Sequence, residues 1–143
     1  MEVRKVKLED IDRVFELLNI LYSGKIQYDG FKKRYIKKLG ENKVFNIVAV
    51  ENNQIIGVLT SELHEKLHRN NLELFIEDLI VDEKKRSKGI GTALLNEAII
   101  FARKNHCEVV ELTSYNDNDK AHEFYQKNGF INHSIDFKKY LLK

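Results

Sequence analysis

With one cysteine, Cys107, in 143 residues, the chain cannot form an internal disulfide. The flanks of that cysteine read as a helix-to-strand connection holding a partly buried thiol rather than a reactive one. Long hydrophobic runs are also missing: none approaches the roughly 20 residues needed to cross a bilayer. The opening Met1-Glu2-Val3-Arg4-Lys5-Val6-Lys7 lacks the uninterrupted apolar core of a signal peptide. These absences lead to the expectation of a cytoplasmic protein that does not engage a membrane. An excess of one charge is absent too. Against 24 basic residues stand 22 acidic ones, a formal charge of +2, so no overall field favours nucleic acid and any electropositive site must be local. Repeats, linkers and low-complexity tracts are not found.

What is present is the composition of an ordinary soluble globular protein, 43% apolar and 32% charged, at a length that builds one real core. The expectation is a single domain over residues 1–143. Glu2 to Val6 alternates like a short strand. Asp10 is placed to cap a helix with Ile11, Val14, Phe15, Leu18, Leu21 and Tyr22 on its apolar face, and Phe31, Tyr35, Ile36 and Leu39 mark a second helix stopped near Gly40. Tyr22 and Tyr28, between these helices, either line a cleft or pack on the core. Val44 to Val50 and Ile55 to Leu63, joined by Glu51-Asn52-Asn53-Gln54, predict an antiparallel hairpin. Leu72 to Val81 supplies a further strand. From Gly89 a helical stripe of Ile90, Leu94, Ala98 and Phe101 runs to about Asn105, then Val109 to Thr113 reads as a buried strand. Asn118 starts a last helix that Asn128-Gly129 ends, and Ile135 to Leu142 is expected to close the sheet. The two later strands flank a crossover helix and should be parallel.

The stretch from Ile76 to Leu95 carries the chemistry. An apolar strand enters a basic loop, Lys84-Lys85-Arg86-Ser87-Lys88-Gly89-Ile90-Gly91, and the loop opens a helix. Glycines let backbone approach a ligand, and the first amides of a helix are unpaired donors at the positive end of its dipole, so the loop suits a phosphate. Within the strand, Leu72, Leu74 and Ile76 share one face, but the apolar phase passes to Leu79 and Val81 across Glu77 and Asp78. A bulge produces such a one-residue phase change; a strand buried on both faces produces it as well.

These residues resemble the GNAT superfamily of acyl-CoA-dependent N-acetyltransferases. Arg86-Ser87-Lys88-Gly89-Ile90-Gly91 is similar to its R/Q-x-x-G-x-G/A pyrophosphate motif, Leu79-Ile80-Val81 to the strand that pairs with pantetheine, and Asn118-Asp119-Lys120-Ala121 with Phe124-Tyr125-Gln126-Lys127-Asn128-Gly129-Phe130 to its N-x-x-A-x-x-F-Y-x-K-x-G-F segment. Ile76-Glu77-Asp78-Leu79 looks most like the polyamine and thialysine acetyltransferases, whose strand also carries an adjacent Glu-Asp pair. The resemblance implies an α/β fold with a mixed α+β sheet: mostly antiparallel and twisted, with one parallel pair of strands and about four flanking helices. It implies acetyl-CoA as co-substrate, held by Leu79, Ile80, Val81, Arg86, Ser87, Lys88, Gly89, Ile90, Gly91, Thr92, Asn118 and Ala121. A small-molecule amine is the expected acceptor, and the resemblance also admits a homodimer.

The chemistry asks for two further groups. An alkylamine with pKa ~10.4 is almost wholly protonated at neutral pH, so a carboxylate, directly or through water, helps it attack a thioester. Glu77 is the first candidate and Asp78 the second. The departing thiolate needs a proton, and Tyr125 is the residue the resemblance puts forward as donor; from spacing alone it is an aromatic on the inner face of a helix.

His64-Glu65-Lys66-Leu67-His68 fits H-E-x-x-H, which needs a helix to bring two histidines onto zinc. Here it lies between two strands without a third ligand, and no metal is expected. Gly89-Ile90-Gly91-Thr92-Ala93-Leu94 has Leu where a dinucleotide fingerprint needs Gly or Ala. The reading is an enzyme transferring acetyl to a small-molecule primary amine by direct attack in a ternary complex. A protein lysine or N-terminal acetyltransferase and a noncatalytic acyl-CoA sensor are the rivals.

Overall fold

Apolar residues at Val14, Leu17 and Leu18 are spaced to share one side of a helix, and they are the buried residues of α1, Ile11–Leu21. Helix α2, Tyr28–Leu39, buries Phe31 and Tyr35. The strands are β1 (Glu2–Lys5), β2 (Ile47–Glu51), β3 (Gln54–His64), β4 (Glu73–Val81) and β5 (Val109–Leu112), with helix α3, Ile90–Lys104, between the last two and α4, Asp119–Lys127, after them. The computed structural model describes residues 1–142, and it divides into one unit from Met1 to Leu112 and another from Thr113 onward.

All five strands belong to the first unit and lie in the order β1-β2-β3-β4-β5. The first three neighbour pairs are antiparallel, and β4 with β5 is parallel, as the crossover through α3 requires. Asn52 and Asn53, both with positive φ (51° and 60°), make the two-residue turn of the β2–β3 hairpin. One side of the sheet packs on α1 and α2, where Val48, Val58 and Ile80 join Val14, Leu18, Phe31 and Tyr35. On the other side lies α3, with Leu94, Leu95, Ala98 and Ala102 buried. Gly57 permits its close approach: a Cβ there would stand 3.0 Å from Leu94 Cδ1 and 3.3 Å from Ile90 Cγ2.

Three expectations are corrected. Asp10 precedes α1, but its carboxylate does not cap that helix. It turns back to accept two bonds from Arg4 (2.7 and 3.0 Å) and one from the Lys7 N–H (2.7 Å). Burial opposes the charged form of Asp10, yet these bonds and the Arg4 charge hold its carboxyl below the ordinary range. The strand expected from Val44 begins at Ile47, because the Asn46 side chain accepts the Ser61 N–H (3.1 Å) and only an isolated bridge at Val44 continues the pairing. No strand forms over 135–142: the described residues there have no regular structure, and Ile135, Phe137, Tyr140 and Leu142 are exposed. Apolar content suits a segment to a sheet, but only a neighbouring strand makes it one.

In the second unit, Asn118 Oδ1 accepts the Ala121 N–H (3.1 Å) and so caps α4. Gly129, at φ 87°, ends the helix. The Phe130 N–H reaches the Tyr125 carbonyl (3.0 Å), with the two rings 5.9 Å apart, the expected left-handed stop with an apolar clasp.

Candidate active site

Between β3 and β4 the register shifts by one residue: Thr60 faces Asp78, but Ser61 faces Ile76. Glu77 is therefore the extra residue of a bulge, the origin of the phase change seen in the sequence. The bulge borders a cavity of about 420 Å³, walled by α1, α2, Tyr22, β3 and β4, with Glu77 and Asp78 both on its lining. Asp78 is occupied, accepting from Thr60 Oγ1 (2.5 Å) and from the Tyr22 hydroxyl. Glu77 makes no hydrogen bond or ion pair among the described residues. The residue is exposed where it lines the cavity, and its carboxyl is raised above the usual range. Desolvation is the main cause; the Lys38 charge opposes it, and Asp78 and Glu62 add to it more weakly.

β5 runs beside β4 only from Glu73 to Ile76. From Asp78 to Val81, β4 is paired on the β3 side alone among the described strands, and Glu77 on neither side. Of the three residues expected there, Ile80 buries its side chain in the core, so it offers a ligand only its backbone. Beyond Val81 the chain passes through a short 3-10 turn, Glu83–Lys85, where Asp82 caps by accepting the Lys84 N–H (3.0 Å). Arg13 of α1 fixes that turn through Asp82 (2.6 Å) and the Ile55 carbonyl (3.1 Å).

The basic loop is less uniform than its sequence. Lys85 pairs with Glu51 (2.8 Å), and Arg86 Nε donates to the Val81 carbonyl (3.1 Å). Ser87 and Gly89 both take positive φ, 65° and 80°. The first helical bond of α3 runs from the Ala93 N–H to the Gly89 carbonyl (3.0 Å), so the amides of Ile90, Gly91 and Thr92 have no helical acceptor. Ile90 buries its side chain and offers only its amide. A Cβ on Gly89 would meet nothing within 4 Å, so that position faces open space.

Residues Glu77 to Thr92 of the predicted set thus follow one another along β4, the loop and the start of α3. Asn118, Ala121 and Tyr125 lie together on α4 of the second unit. There Tyr125 packs edge-on to Phe124 (5.3 Å) and Phe130 (5.9 Å). Cys107 is half-buried between α3 and β5, and burial, with Glu73 nearby, pushes its thiol up.

Tyr22 is a cavity residue, whereas Tyr28 packs on Phe15 and donates to Asp12. Sequence reading passed over Arg34, Lys38, Thr60 and Glu62, which also line the cavity. A signal existed for two of them. Phe31, Arg34, Tyr35 and Lys38 stand at i, i+3, i+4 and i+7, one stripe of α2.

His64 ends β3 and the following segment is not helical. His64 stacks on Phe75. Lys66 and Arg69 close on the fully buried Glu73 carboxylate (2.8 and 3.0 Å), and Arg69 also reaches Glu111 (2.7 Å). The segment works as an ionic strap over β4 and β5. A second, larger depression of about 810 Å³ runs past Arg4, Asp10, Arg13 and Gln54; it contains none of the residues the motifs single out.

A profile of the family described as "Acetyltransferase (GNAT) family" matches residues 11–130. Aminoalkylphosphonate N-acetyltransferase of Salmonella typhimurium is 29% identical over 140 residues, 98% of this chain and 91% of that protein. Streptothricin acetyltransferase A of Bacillus subtilis is 32% identical over 120 residues, 83% of this chain and 64% of that one. A solved structure described as a transcriptional regulator from Bacillus halodurans matches with a TM-score of 0.92 at 21% identity, over 98% of this chain and 99% of that one. At that identity the likeness is one of fold.

Proposed function

Because the chain belongs to the GNAT family of acetyltransferases, we propose that it moves an acetyl group from acetyl-CoA to the primary amine of a small molecule, by direct attack with both substrates bound. The observation that carries this reading is the two-sided use of β4. One strand presents the unpartnered Glu77 to a cavity and, from Glu77 to Val81, leaves its other edge without a strand partner, leading on to open amides at the start of α3. Two relatives are named for small acceptors, aminoalkylphosphonates and streptothricin, which supports a small molecule here.

The residues fit acetyl-CoA. Its pantetheine amides need strand-like partners, which Leu79 to Val81 can supply. Its pyrophosphate needs donors and positive charge, which the amides of Ile90, Gly91 and Thr92 and the side chains of Ser87, Lys88 and Arg86 can supply. Asn118, Ala121 and Tyr125 complete the proposed set from α4. When bound, acetyl-CoA supplies an acyl carbonyl activated as a thioester.

Glu77 takes a proton from the incoming ammonium, directly or through one water, and frees the nitrogen lone pair for attack. The carbon–nitrogen bond forms and the carbon–sulfur bond breaks. Tyr125 gives the sulfur its proton and the nitrogen sheds its second, so one proton leaves to solvent overall. Asp78, already accepting two hydroxyl bonds, holds Tyr22 and Thr60 in place.

The test measures free-thiol release from acetyl-CoA over a panel of small amines, with calorimetry of coenzyme A binding beside it. Lys88→Glu, a surface change, should weaken coenzyme A binding by about tenfold. Unchanged affinity in that variant removes the loop from the proposed site. A folded parent that binds coenzyme A and releases no thiol with any amine removes the transfer reaction.

A further inference from the structure

The acceptor cavity is lined by charges of both signs. At the β4 bulge stand Glu77 and Asp78, and neither pairs with a cation within 4 Å among the described residues. On the α2 side stand Arg34 and Lys38, one helical turn apart. Lys38 (2.9 Å) and Lys43 (3.1 Å) share the single carboxylate of Glu62, so that trio carries one positive charge in excess. The Arg34 guanidinium makes no hydrogen bond or ion pair among the described residues. It lies back along α2, so close to Gly30 that a Cβ there would stand 3.1 Å from Nη1.

We propose that the acceptor is a primary amine carrying an anionic tail, a phosphonate or a carboxylate, with its ammonium toward Glu77 and its anion at the free Arg34 guanidinium. This rests on the acetyl-transfer reading above and specifies its acceptor. A planar guanidinium matches the paired oxygens of such anions. Lys38 adds positive potential without leaving Glu62. The same arrangement works against a polyamine, whose second ammonium would meet Arg34 and the surplus lysine charge. The adjacent Glu-Asp pair, which in sequence resembles the polyamine branch, is here only half of the recognition.

Four acceptors that share an aminoethyl group and differ only in the substituent on its far carbon isolate the tail. That substituent is phosphonate in 2-aminoethylphosphonate, carboxylate in β-alanine, methyl in propylamine and aminomethyl in 1,3-diaminopropane. Thiol release is measured with each for the parent, Arg34→Gln and Arg34→Lys. In the parent, kcat/KM for at least one anionic tail should exceed that for propylamine by about tenfold or more, and diaminopropane should be the poorest. Arg34→Gln should bring the anion-to-methyl ratio near one, mainly through KM, and Arg34→Lys should restore part of it. Comparing the two anionic arms tells phosphonate from carboxylate. Acetylation of propylamine or diaminopropane at least as well as both anionic amines overturns the proposal while leaving acetyl transfer intact, as does an Arg34→Gln enzyme that keeps the parent's ratio. No thiol release with any of the four or with the wider amine panel overturns both readings.

Discussion

At Glu77 stability and chemistry pull in opposite directions. A carboxylate without a cation partner on the wall of a cavity is destabilised in its charged form, and for that reason it is a stronger base. Its folded pKa is raised, mainly by desolvation. The native state therefore holds this proton more tightly than the unfolded chain, and the stability contributed by the protonated form is lost as pH rises through the folded pKa. Glu77→Gln should accordingly match or exceed the parent in Tm at neutral pH while losing activity. Its deficit in kcat/KM should be greatest between the Glu77 pKa and that of the amine, and shrink toward pH ~10.4 as the amine deprotonates unaided. A deficit constant across that range, followed by pH-rate profiles, assigns Glu77 to substrate positioning and makes Asp78 or a water chain the better base. Tyr125→Phe keeps the ring edge-on to Phe124 and Phe130 and removes only the hydroxyl. Coenzyme A affinity should persist while single-turnover rate falls by about 10²-fold or more. An unchanged single-turnover rate returns Tyr125 to packing.

Among the elements, β4 and α3 bear most of the proposed site, and their fit depends on a missing side chain. Gly57 of β3 sits under the first turns of α3, where Leu94 and Ile90 leave almost no room for a Cβ. Gly57→Val should destabilise the fold by about 1–3 kcal/mol through overpacking, read as a lower urea midpoint at constant slope. Because α3 also presents the open amides of Ile90 to Thr92, coenzyme A affinity should fall in the same variant even at temperatures where it remains folded. Full stability would mean that α3 moves freely off the sheet. The strap of Lys66 and Arg69 is the opposite case, an element whose sequence suggests a metal helix and whose ion pairs with Glu73 and Glu111 give it a different task.

At the scale of the whole molecule, the near-neutral charge conceals a local division. The loop of Lys84 to Lys88 and the α2 stripe of Arg34 and Lys38 are basic, whereas Glu77 and Asp78 of β4 put acidic groups on the cavity that the stripe also lines. The single-domain expectation makes a thermodynamic statement about the whole. One domain of this length should unfold in one calorimetric transition, with van't Hoff and calorimetric enthalpies equal. Two resolved transitions would show the unit before Thr113 and the unit after it to be separate domains.

The sequence by itself determined what local rules control. Periodicity placed α1, α2 and α3, paired asparagines placed the β2–β3 turn, and Asn118 and Gly129 bounded α4, since caps and turns act over four or five residues. The phase change at Glu77 and Asp78 admitted either a bulge or a strand buried on both faces, and the register against β3 decided for the bulge. Tertiary structure alone decided what depends on residues distant in the chain. Asp10 leaves its helix for Arg4, Lys85 leaves the basic loop for Glu51, and Asp78 is taken up by Tyr22 and Thr60, each because a partner appears only when strands and helices meet. The stripe of Arg34 and Lys38 was legible as a stripe, but that it lines one cavity with Glu77 follows from α2 lying over the sheet. Residues 135–142 are expected to close the sheet and form no strand within the described chain, because a strand is completed by the neighbour that bonds to it.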